Sequence, residues 1–270
     1  MPELPDVELY KRCLDEHALG RMIERVAVND VRILGDLAPK TFVARLRGNR
    51  FEDSRRHGKH LLVRLKKDGW QTMHFGMTGH LFWFEDERDD PPYDRVRFDF
   101  QGRAHLAYVT RRKLGRVGLT GDADAFVRAE ELGPDALDPA FDFAAFEKAI
   151  EGRRRDVKSV LMDQSLIAGI GNIYADEVLF QARLHPKTPV SALSESQCRT
   201  LFEQIKRVLE TAIACGAGAE QFLERLPDDY LLPQREKGGR CPRCGTAIAT
   251  LKSGGRTSYF CPRCQAEPGA

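Results

Sequence analysis

The C-terminal part of the chain reads Cys241-Pro242-Arg243-Cys244, then sixteen residues, then Cys261-Pro262-Arg263-Cys264. Two Cys-x-x-Cys pairs at this spacing predict a tetrahedral site in which four thiolates bind one zinc ion. A segment of about thirty residues buries too little core to fold alone, so we expect the metal to be structural. Two redox dithiols or disulfides are the alternative, and they require an oxidising compartment.

A second strong pattern is the stretch LMDQSLIAGIGNIYADE at Leu161–Glu177. An apolar helix, a tight turn through Gly169 and Gly171, and a second helix from near Asn172 predict a helix–turn–helix outline. We expect the free N–H groups at the start of the second helix, together with Asn172, to form a phosphate site. Taken alone, the pattern also fits a plain αα-hairpin.

Composition and charge distribution limit the classes of protein. The chain has 270 residues, 42% of them hydrophobic, and a net charge of only +2. Basic residues nevertheless concentrate at Arg45–Lys67 and Arg235–Arg263. These segments fit a basic groove that binds phosphates or, alternatively, charged surfaces that face solvent. No apolar run has the length of a membrane span and no signal-peptide pattern is present. We therefore expect an intracellular protein without a membrane partner, cytoplasmic or in the nucleoid if bacterial.

Hydrophobic periodicity predicts the order of the domains. Short apolar runs between about residues 23 and 118, one of them at Phe42–Arg47, predict strands of a β-sandwich or a barrel. A helix from about Pro5 to Leu19 packs against it. After a linker rich in Pro and Gly the pattern becomes helical, with a last short helix at Glu220–Leu226. The predicted fold is α+β and multi-domain, with an N-terminal β-sandwich catalytic domain at 1–133, a linker at 134–141, a helical domain at 142–230 and a C-terminal zinc finger at 235–267.

The N-terminus offers a nucleophile. The chain begins Met1-Pro2-Glu3-Leu4-Pro5-Asp6-Val7-Glu8, and we expect removal of Met1 to expose Pro2 as a secondary amine. An α-amino group titrates near ~7.7–8.0, so part of it is unprotonated at neutral pH. Its attack on a carbonyl-like carbon gives an iminium ion, and Glu3 is placed to move protons. The octamer alone could also be an ordinary helix start.

These three patterns, in the order N-terminus, Leu161–Glu177 and cysteine unit along the chain, resemble the formamidopyrimidine-DNA glycosylase/endonuclease VIII family of base-excision repair enzymes. The resemblance implies that Leu161–Glu177 is a helix–two-turn–helix element and that the cysteine unit is a zinc finger. It also implies catalytic roles for Pro2 as the nucleophile and Glu3 as its acid–base partner. Lys59, in a segment that resembles the family's active-site hairpin, is the third predicted catalytic residue. Asp6 departs from the family's usual glutamate.

The resemblance extends to predicted DNA contacts. Within the segment from His74 to His80, Met77 lies between two glycines and matches a family methionine that fills the gap left by a flipped base. In the segment from Arg111 to Gly115, Arg112 matches the residue that bonds the orphaned base, and Leu114 replaces the family's wedging phenylalanine. The predicted DNA-binding residues are His74, Met77, Arg112, Leu114, Lys158, Asn172 and Arg256, of which the last lies at a hairpin tip.

The resemblance implies a monomeric bifunctional DNA glycosylase and AP lyase. It would flip oxidatively damaged bases out of double-stranded DNA, remove them, and nick the abasic site by β/δ-elimination through a Schiff base on Pro2. The segment Gly216–Arg240 is shorter than the loop that closes over oxidised purines in formamidopyrimidine-type enzymes. This length argues against 8-oxoguanine as the main substrate.

Three alternatives follow from the same residues. Within the family, an endonuclease VIII-like enzyme would prefer oxidised pyrimidines, ring-opened lesions or abasic sites. Outside catalysis, a silent zinc-containing scaffold would bind damaged or bent DNA, and the Pro2-Glu3 pair argues against it. A zinc-ribbon factor that binds RNA would prefer RNA to duplex DNA.

Overall fold

The computed structural model describes residues 1–267 and divides into two compact units. The first contains residues 1–2 and 6–130, and the second contains Glu3–Pro5 together with the chain from Glu131 onward. Pro2 and Glu3 are neighbours in sequence but belong to different units. No helix in the described part of the chain is long and apolar enough to cross a membrane.

The first unit is built on two four-stranded antiparallel sheets, which confirms the predicted sandwich. The strands are β1 (Ile23–Val28), β2 (Phe51–His57), β3 (His60–Leu65), β4 (Trp70–His74), β5 (His80–Phe84), β6 (Asp94–Phe100), β7 (Ala104–Val109) and β8 (Arg116–Thr120). One sheet has the order β2-β3-β4-β8 and the other the order β1-β6-β7-β5. Apolar side chains from both sheets form one core, as expected where strands alternate inward and outward residues.

Three helices accompany these strands: α1 (Leu4–His17), α2 (Pro39–Leu46) and α3 (Ala123–Ala129). The predicted strand at Phe42–Arg47 is wrong, because all but its last residue lies in α2. Pro39 occupies the first turn of that helix, where its missing N–H costs nothing. Phe42 and Leu46 are four residues apart and share one buried face, so the helix buries both side chains against the sandwich core.

The second unit is mainly helical, and 3₁₀ turns link several of its segments. The predicted helix at Glu220–Leu226 is wrong, because only Leu223–Arg225 forms a 3₁₀ turn there. Phe222 just before it is left-handed, with φ of 55°, and a non-glycine residue in that conformation interrupts a helix. The regular helices are α4 (Phe143–Ile150), α5 (Val157–Leu161), α6 (Asn172–Gln181) and α7 (Glu195–Ala214).

A two-stranded antiparallel hairpin, β9 (Ala249–Ser253) and β10 (Arg256–Phe260), lies between the two cysteine pairs. Ser253 is paired with Arg256 across its tip. Gly254 and Gly255 form the turn with φ of 56° and 72°, a backbone conformation that favours glycine. This hairpin confirms the tip predicted from the sequence. The fold as a whole agrees with the predicted α+β class.

Candidate catalytic N-terminus and DNA-binding surface

The Glu3 carboxylate is fully buried at the start of helix α6. It accepts hydrogen bonds from the backbone N–H groups of Gly171 at 2.7 Å, Ile173 at 2.8 Å and Tyr174 at 3.2 Å. The first N–H groups of a helix have no partner within the helix, and Gly171 has no side chain to supply one. Glu3 therefore serves as the N-terminal cap of α6, where a negative charge also suits the helix dipole.

Two glycines make room for this contact. A Cβ on Gly171 would overlap the Glu3 carboxyl group, and a Cβ on Gly169 would overlap the Leu4 side chain. Gly169 also has φ of 120°, and its carbonyl accepts the Leu4 N–H at 3.1 Å. The Gly-x-Gly pattern thus reflects a close approach by Glu3 and Leu4 as well as a tight turn.

The expected phosphate site at the N–H groups of this helix start is wrong. The sequence predicted that these groups were free, whereas the Glu3 carboxylate accepts three of them. The pattern of residues 161–177 could not reveal the occupant, because Glu3 lies 168 positions before Gly171. The side chain of Asn172 at this helix start remains a separate prediction.

Lys59 lies in the turn between β2 and β3, beside a pair of histidines. The next residue, His60, is paired with His74 across β3 and β4, and the ring centroids are 4.8 Å apart. Burial lowers the pKa of His60 to about 3. The pKa of His74 is also lowered, first by burial and then by the charges of Lys59 and Arg116. At neutral pH, both imidazoles are therefore uncharged.

The loop that carries Met77 (residues 74–80) and the loop that carries Arg112 (residues 111–115) pack directly against each other. The Arg112 N–H donates to Thr78 Oγ1 at 3.1 Å. A Cβ on Gly76, where φ is 59°, would overlap the backbone of Leu114. Met77 is half-buried, whereas the Leu114 side chain is 57% exposed. The structure thus brings three of the predicted DNA-binding residues, Met77, Arg112 and Leu114, into one surface of the first unit.

The second unit contains the remaining predicted DNA-binding residues. Arg256 is exposed at the first position of β10, whereas Lys158 on α5 is completely buried. The Lys158 ammonium donates to Asn172 Oδ1 at 2.8 Å and to Asp176 Oδ1 at 2.6 Å. Asp176 was not identified from the sequence. The spacing in the sequence indicates it, because Asn172 and Asp176 are four residues apart and therefore share one helix face.

The four cysteines fit one tetrahedral zinc ion. Their Sγ atoms all lie within 4.8 Å of one another. The distances are 3.8 Å from Cys241 to Cys264 and 3.5 Å from Cys244 to both Cys261 and Cys264. Thiolates about 2.3 Å from one zinc ion would be about 3.8 Å apart. A disulfide needs about 2.05 Å. Four such ligands complete the coordination of the metal, so the zinc is structural.

Replacing Gly171 with alanine tests the capping role of Glu3. The new Cβ would push the carboxylate off the helix and leave buried N–H groups unpaired, so Gly171→Ala should lower the free energy of unfolding by about 1–3 kcal/mol. The Ile173 and Tyr174 amides should exchange with solvent roughly tenfold faster or more. Gly121→Ala is the matched control, because a Cβ there meets open space. Equal protection of these amides in both variants would refute the cap.

Metal content tests the cysteine site. Purified protein should contain one zinc ion per chain by atomic emission, and Cys261→Ser should lose it. Because the metal stabilises the finger, the β9–β10 amides should then lose protection from exchange. Cys215→Ser is the control, since Cys215 lies outside the cluster, and it should keep both the zinc and the protection. A Cys261→Ser protein that retains full metal would contradict the assignment.

Three family models match the chain. They are the formamidopyrimidine-DNA glycosylase N-terminal domain at residues 1–117, the H2TH domain of the same enzymes at residues 132–223, and a zinc finger found in FPG and IleRS at residues 238–266. Formamidopyrimidine-DNA glycosylase of Moorella thermoacetica is 38% identical over 93% of this chain and 95% of the relative. That of a Synechococcus species is 35% identical over 98% of this chain and 99% of the relative.

Solved structures agree with these matches. The chain is similar to Lactococcus lactis Fpg non-covalently bound to DNA containing an AP site, with a TM-score of 0.87 and 28% identity. It is also similar to the same enzyme in complex with DNA containing N7-benzyl-Fapy-dG, with a TM-score of 0.89 and 27% identity. Both comparisons cover 98% of this chain and 100% of the other. The chain therefore belongs to the formamidopyrimidine-DNA glycosylase family, as its sequence predicted.

Proposed function

We propose that this protein is a bifunctional DNA glycosylase and AP lyase that removes oxidatively damaged bases from duplex DNA. The observation that carries the proposal is the fixed position of Glu3 directly after Pro2. Its buried carboxylate is held by three backbone N–H groups, so it needs little reorganisation to act beside the neighbouring amine. Preorganised groups of this kind lower the barrier of a reaction because their ordering is complete before it starts.

The proposed chemistry starts once Met1 has been removed. The Pro2 nitrogen attacks C1′ of the damaged nucleotide, the bond from C1′ to the base breaks, and the base leaves with a proton. Opening of the sugar ring then gives an iminium ion between Pro2 and C1′. Loss of a proton from C2′ expels the 3′-phosphate, and a second elimination expels the 5′-phosphate. Glu3 transfers protons at the sugar during these steps.

In the first unit, we propose that Lys59 and the loops at residues 74–80 and 111–115 bind the DNA around the flipped nucleotide. Lys59 contacts the phosphate of the lesion, Met77 and Leu114 fill the gap in the stack, and Arg112 bonds the orphaned base. His74 contributes a neutral hydrogen-bonding group, since burial lowers its pKa. The exposed side chain of Leu114 supports the wedge role, because a large apolar group in water gains from insertion between bases.

In the second unit, Asn172 and Arg256 are proposed to hold the DNA backbone. Contacts to phosphates fix the register of the duplex but carry no sequence information. That property suits an enzyme that must scan all DNA. We also propose that the partner is damaged double-stranded DNA and that a monomer binds it.

We propose that ring-opened bases, oxidised pyrimidines and abasic sites are preferred over 8-oxoguanine. The support is the short segment between α7 and Cys241, which is partly fixed: the Leu232 N–H donates to the buried Glu177 carboxylate at 2.8 Å. Structures of Lactococcus lactis Fpg with DNA containing an abasic site or an oxidised pyrimidine are among the similar ones. MutM in complex with DNA containing carbocyclic 8-oxo-G is another, so the relative cleavage rates of these lesions decide the preference.

Borohydride trapping tests the proposed nucleophile. Protein processed to begin at Pro2 should form a covalent complex with abasic duplex DNA, because borohydride reduces the iminium ion to a stable amine. Pro2→Gly should lower trapping at least about a hundredfold, the scale expected when a nucleophile is removed. Glu3→Gln should lower the rate of base removal by a larger factor than it lowers the affinity for DNA.

Binding measurements on the same variants separate enzyme from scaffold. Pro2→Gly should bind abasic duplex with nearly unchanged affinity, which makes it the control for DNA recognition. A processed wild-type protein that binds this duplex without any trapped complex would refute the lyase and favour the silent scaffold. Tighter binding to RNA than to duplex DNA would favour the RNA-binding factor.

A cleavage panel tests the proposed lesion preference. Single-turnover rates should be measured on otherwise identical duplexes that contain formamidopyrimidine, thymine glycol, an abasic site or 8-oxoguanine. We expect 8-oxoguanine to be cleaved at least about tenfold more slowly than the other three, which corresponds to about 1.4 kcal/mol of transition-state binding. An 8-oxoguanine rate equal to or above the others would refute this preference but leave the glycosylase assignment intact.

A further inference from the structure

The Lys158 ammonium has no donor left for a ligand. Its side chain is completely buried, and it donates to Asp176 Oδ1 at 2.6 Å, Ser258 Oγ at 2.7 Å and Asn172 Oδ1 at 2.8 Å. The Thr257 carbonyl lies at 3.5 Å as a fourth, more distant acceptor. A lysine ammonium carries three N–H donors, and these acceptors use all of them. The sequence predicted that Lys158 contacts the DNA backbone, but such a contact would require breaking one of these bonds and exposing the side chain.

The acceptors of Lys158 come from two different elements. Asp176 and Asn172 belong to α6, whereas Ser258 lies in the middle of β10, on the zinc-finger hairpin. Asp176 is itself completely buried and also accepts from the Tyr259 N–H at 3.2 Å. Lys158 on α5 therefore joins the helix–two-turn–helix element to the finger through one buried charge centre.

Arg235 completes this centre, just ahead of the finger. Its Nε donates to Asp176 Oδ2 at 2.9 Å, and its Nη2 forms an ion pair with the same oxygen at 2.8 Å. It also lies over the Tyr259 ring, 4.6 Å from the centroid. Buried charges persist only when they are paired and hydrogen-bonded, and each Asp176 oxygen has its own cation, so the removal of either cation would leave one buried oxygen without its charged donor. Burial lowers the pKa of Lys158, and Asp176 opposes that shift.

A second set of contacts fixes the tip of the same hairpin to α5. Ser253 Oγ donates to Asp156 Oδ1 at 2.9 Å, and Asp156 also caps α5 through the Ser159 N–H at 2.7 Å. Gly254 at the tip lies against Ser159, where a Cβ would be 3.0 Å from Oγ. The tip that presents Arg256 is therefore seated on the helix that carries Lys158.

Lys158 also sets the orientation of Asn172. Of the two amide atoms of Asn172, only the oxygen can accept a hydrogen bond from an ammonium group. Oδ1 therefore faces Lys158, and the Nδ2 donor points to the opposite side. Phosphate oxygens accept hydrogen bonds and do not donate them. A fixed Nδ2 is therefore the group that this asparagine needs for binding a phosphate.

We propose that Lys158 is a positioning residue that holds Asn172 and the Arg256 hairpin for phosphate binding and does not itself touch DNA. This proposal rests on the proposed function, since it concerns the DNA contacts of the same enzyme. It differs from the role implied by the sequence, in which Lys158 is a phosphate ligand. The two roles make opposite predictions when Asn172 and Arg256 are already absent.

The first experiment measures DNA affinity against salt concentration for Lys158→Met in two backgrounds. In the wild-type background, Lys158→Met should weaken binding to an abasic duplex at least about tenfold. In an Asn172→Ala/Arg256→Ala background, it should change affinity less than about twofold and leave the salt slope unchanged. A direct phosphate contact would instead weaken binding in both backgrounds and reduce the slope of log K against log salt by about 0.9. That result would overturn the proposal.

The second experiment uses protein without DNA, so it does not depend on the enzymatic activity. Lys158→Met should speed amide exchange at residues 258–260 and zinc release to a chelator at least about tenfold. Ser258→Ala removes the shorter of the two bonds from Lys158 to the hairpin and should act in the same direction, which covers the case that Lys158→Met does not fold. Lys252→Met is the control, because Lys252 is exposed on the same hairpin, and it should change neither rate.

The outcomes of the two tests are distinguishable from those of the proposed function. Unchanged exchange and zinc release in both Lys158→Met and Ser258→Ala would overturn the positioning role, even if borohydride trapping succeeds. Conversely, failure of trapping in the wild-type protein would overturn the lyase, whereas the effect of Lys158 on the hairpin in DNA-free protein would stand.

Discussion

The contact on which much of the second unit depends is the Glu3 carboxylate at the start of α6. Three backbone N–H groups fix this carboxylate, and the helix in turn obtains the cap that Gly171 cannot provide. Capping and the helix dipole favour the same arrangement. Glu3 is thereby as completely buried as a core residue, although chain termini usually fray.

Helix α6 also organises the polar interior of this unit. Residues Ile173–Phe180 are all buried, and they include Asp176 and Glu177. Asp176 holds Lys158 and Arg235, whereas Glu177 accepts the Leu232 N–H just before the finger. Burial raises the pKa of Glu177 to about 7, a sign of how much its desolvation costs. Such groups contribute less to stability than to a unique arrangement of neighbouring elements.

In the first unit, close contacts at glycine residues fix the positions of the two loops. The Tyr108 hydroxyl donates to the carbonyl of His74 at 2.7 Å, and a side chain at Gly115 would overlap this hydroxyl. Gly76 likewise leaves room for the backbone of Leu114. Two loops that are more than thirty residues apart in sequence thus form one surface. Small residues at these points serve the approach of one backbone to another, so larger substitutions would separate the loops.

The sequence by itself determined the features that depend on local spacing. The zinc ligands, the hairpin tip and strands such as His60–Leu65 follow from short patterns and appear as predicted. The helix at Pro39–Leu46 was missed, because its apolar residues fit either period and only burial against the core selects the helical one. The cap by Glu3 and the burial of Lys158 were decided by tertiary structure. Their partners lie 168 and up to 100 positions away, and no local pattern encodes which distant group satisfies a donor.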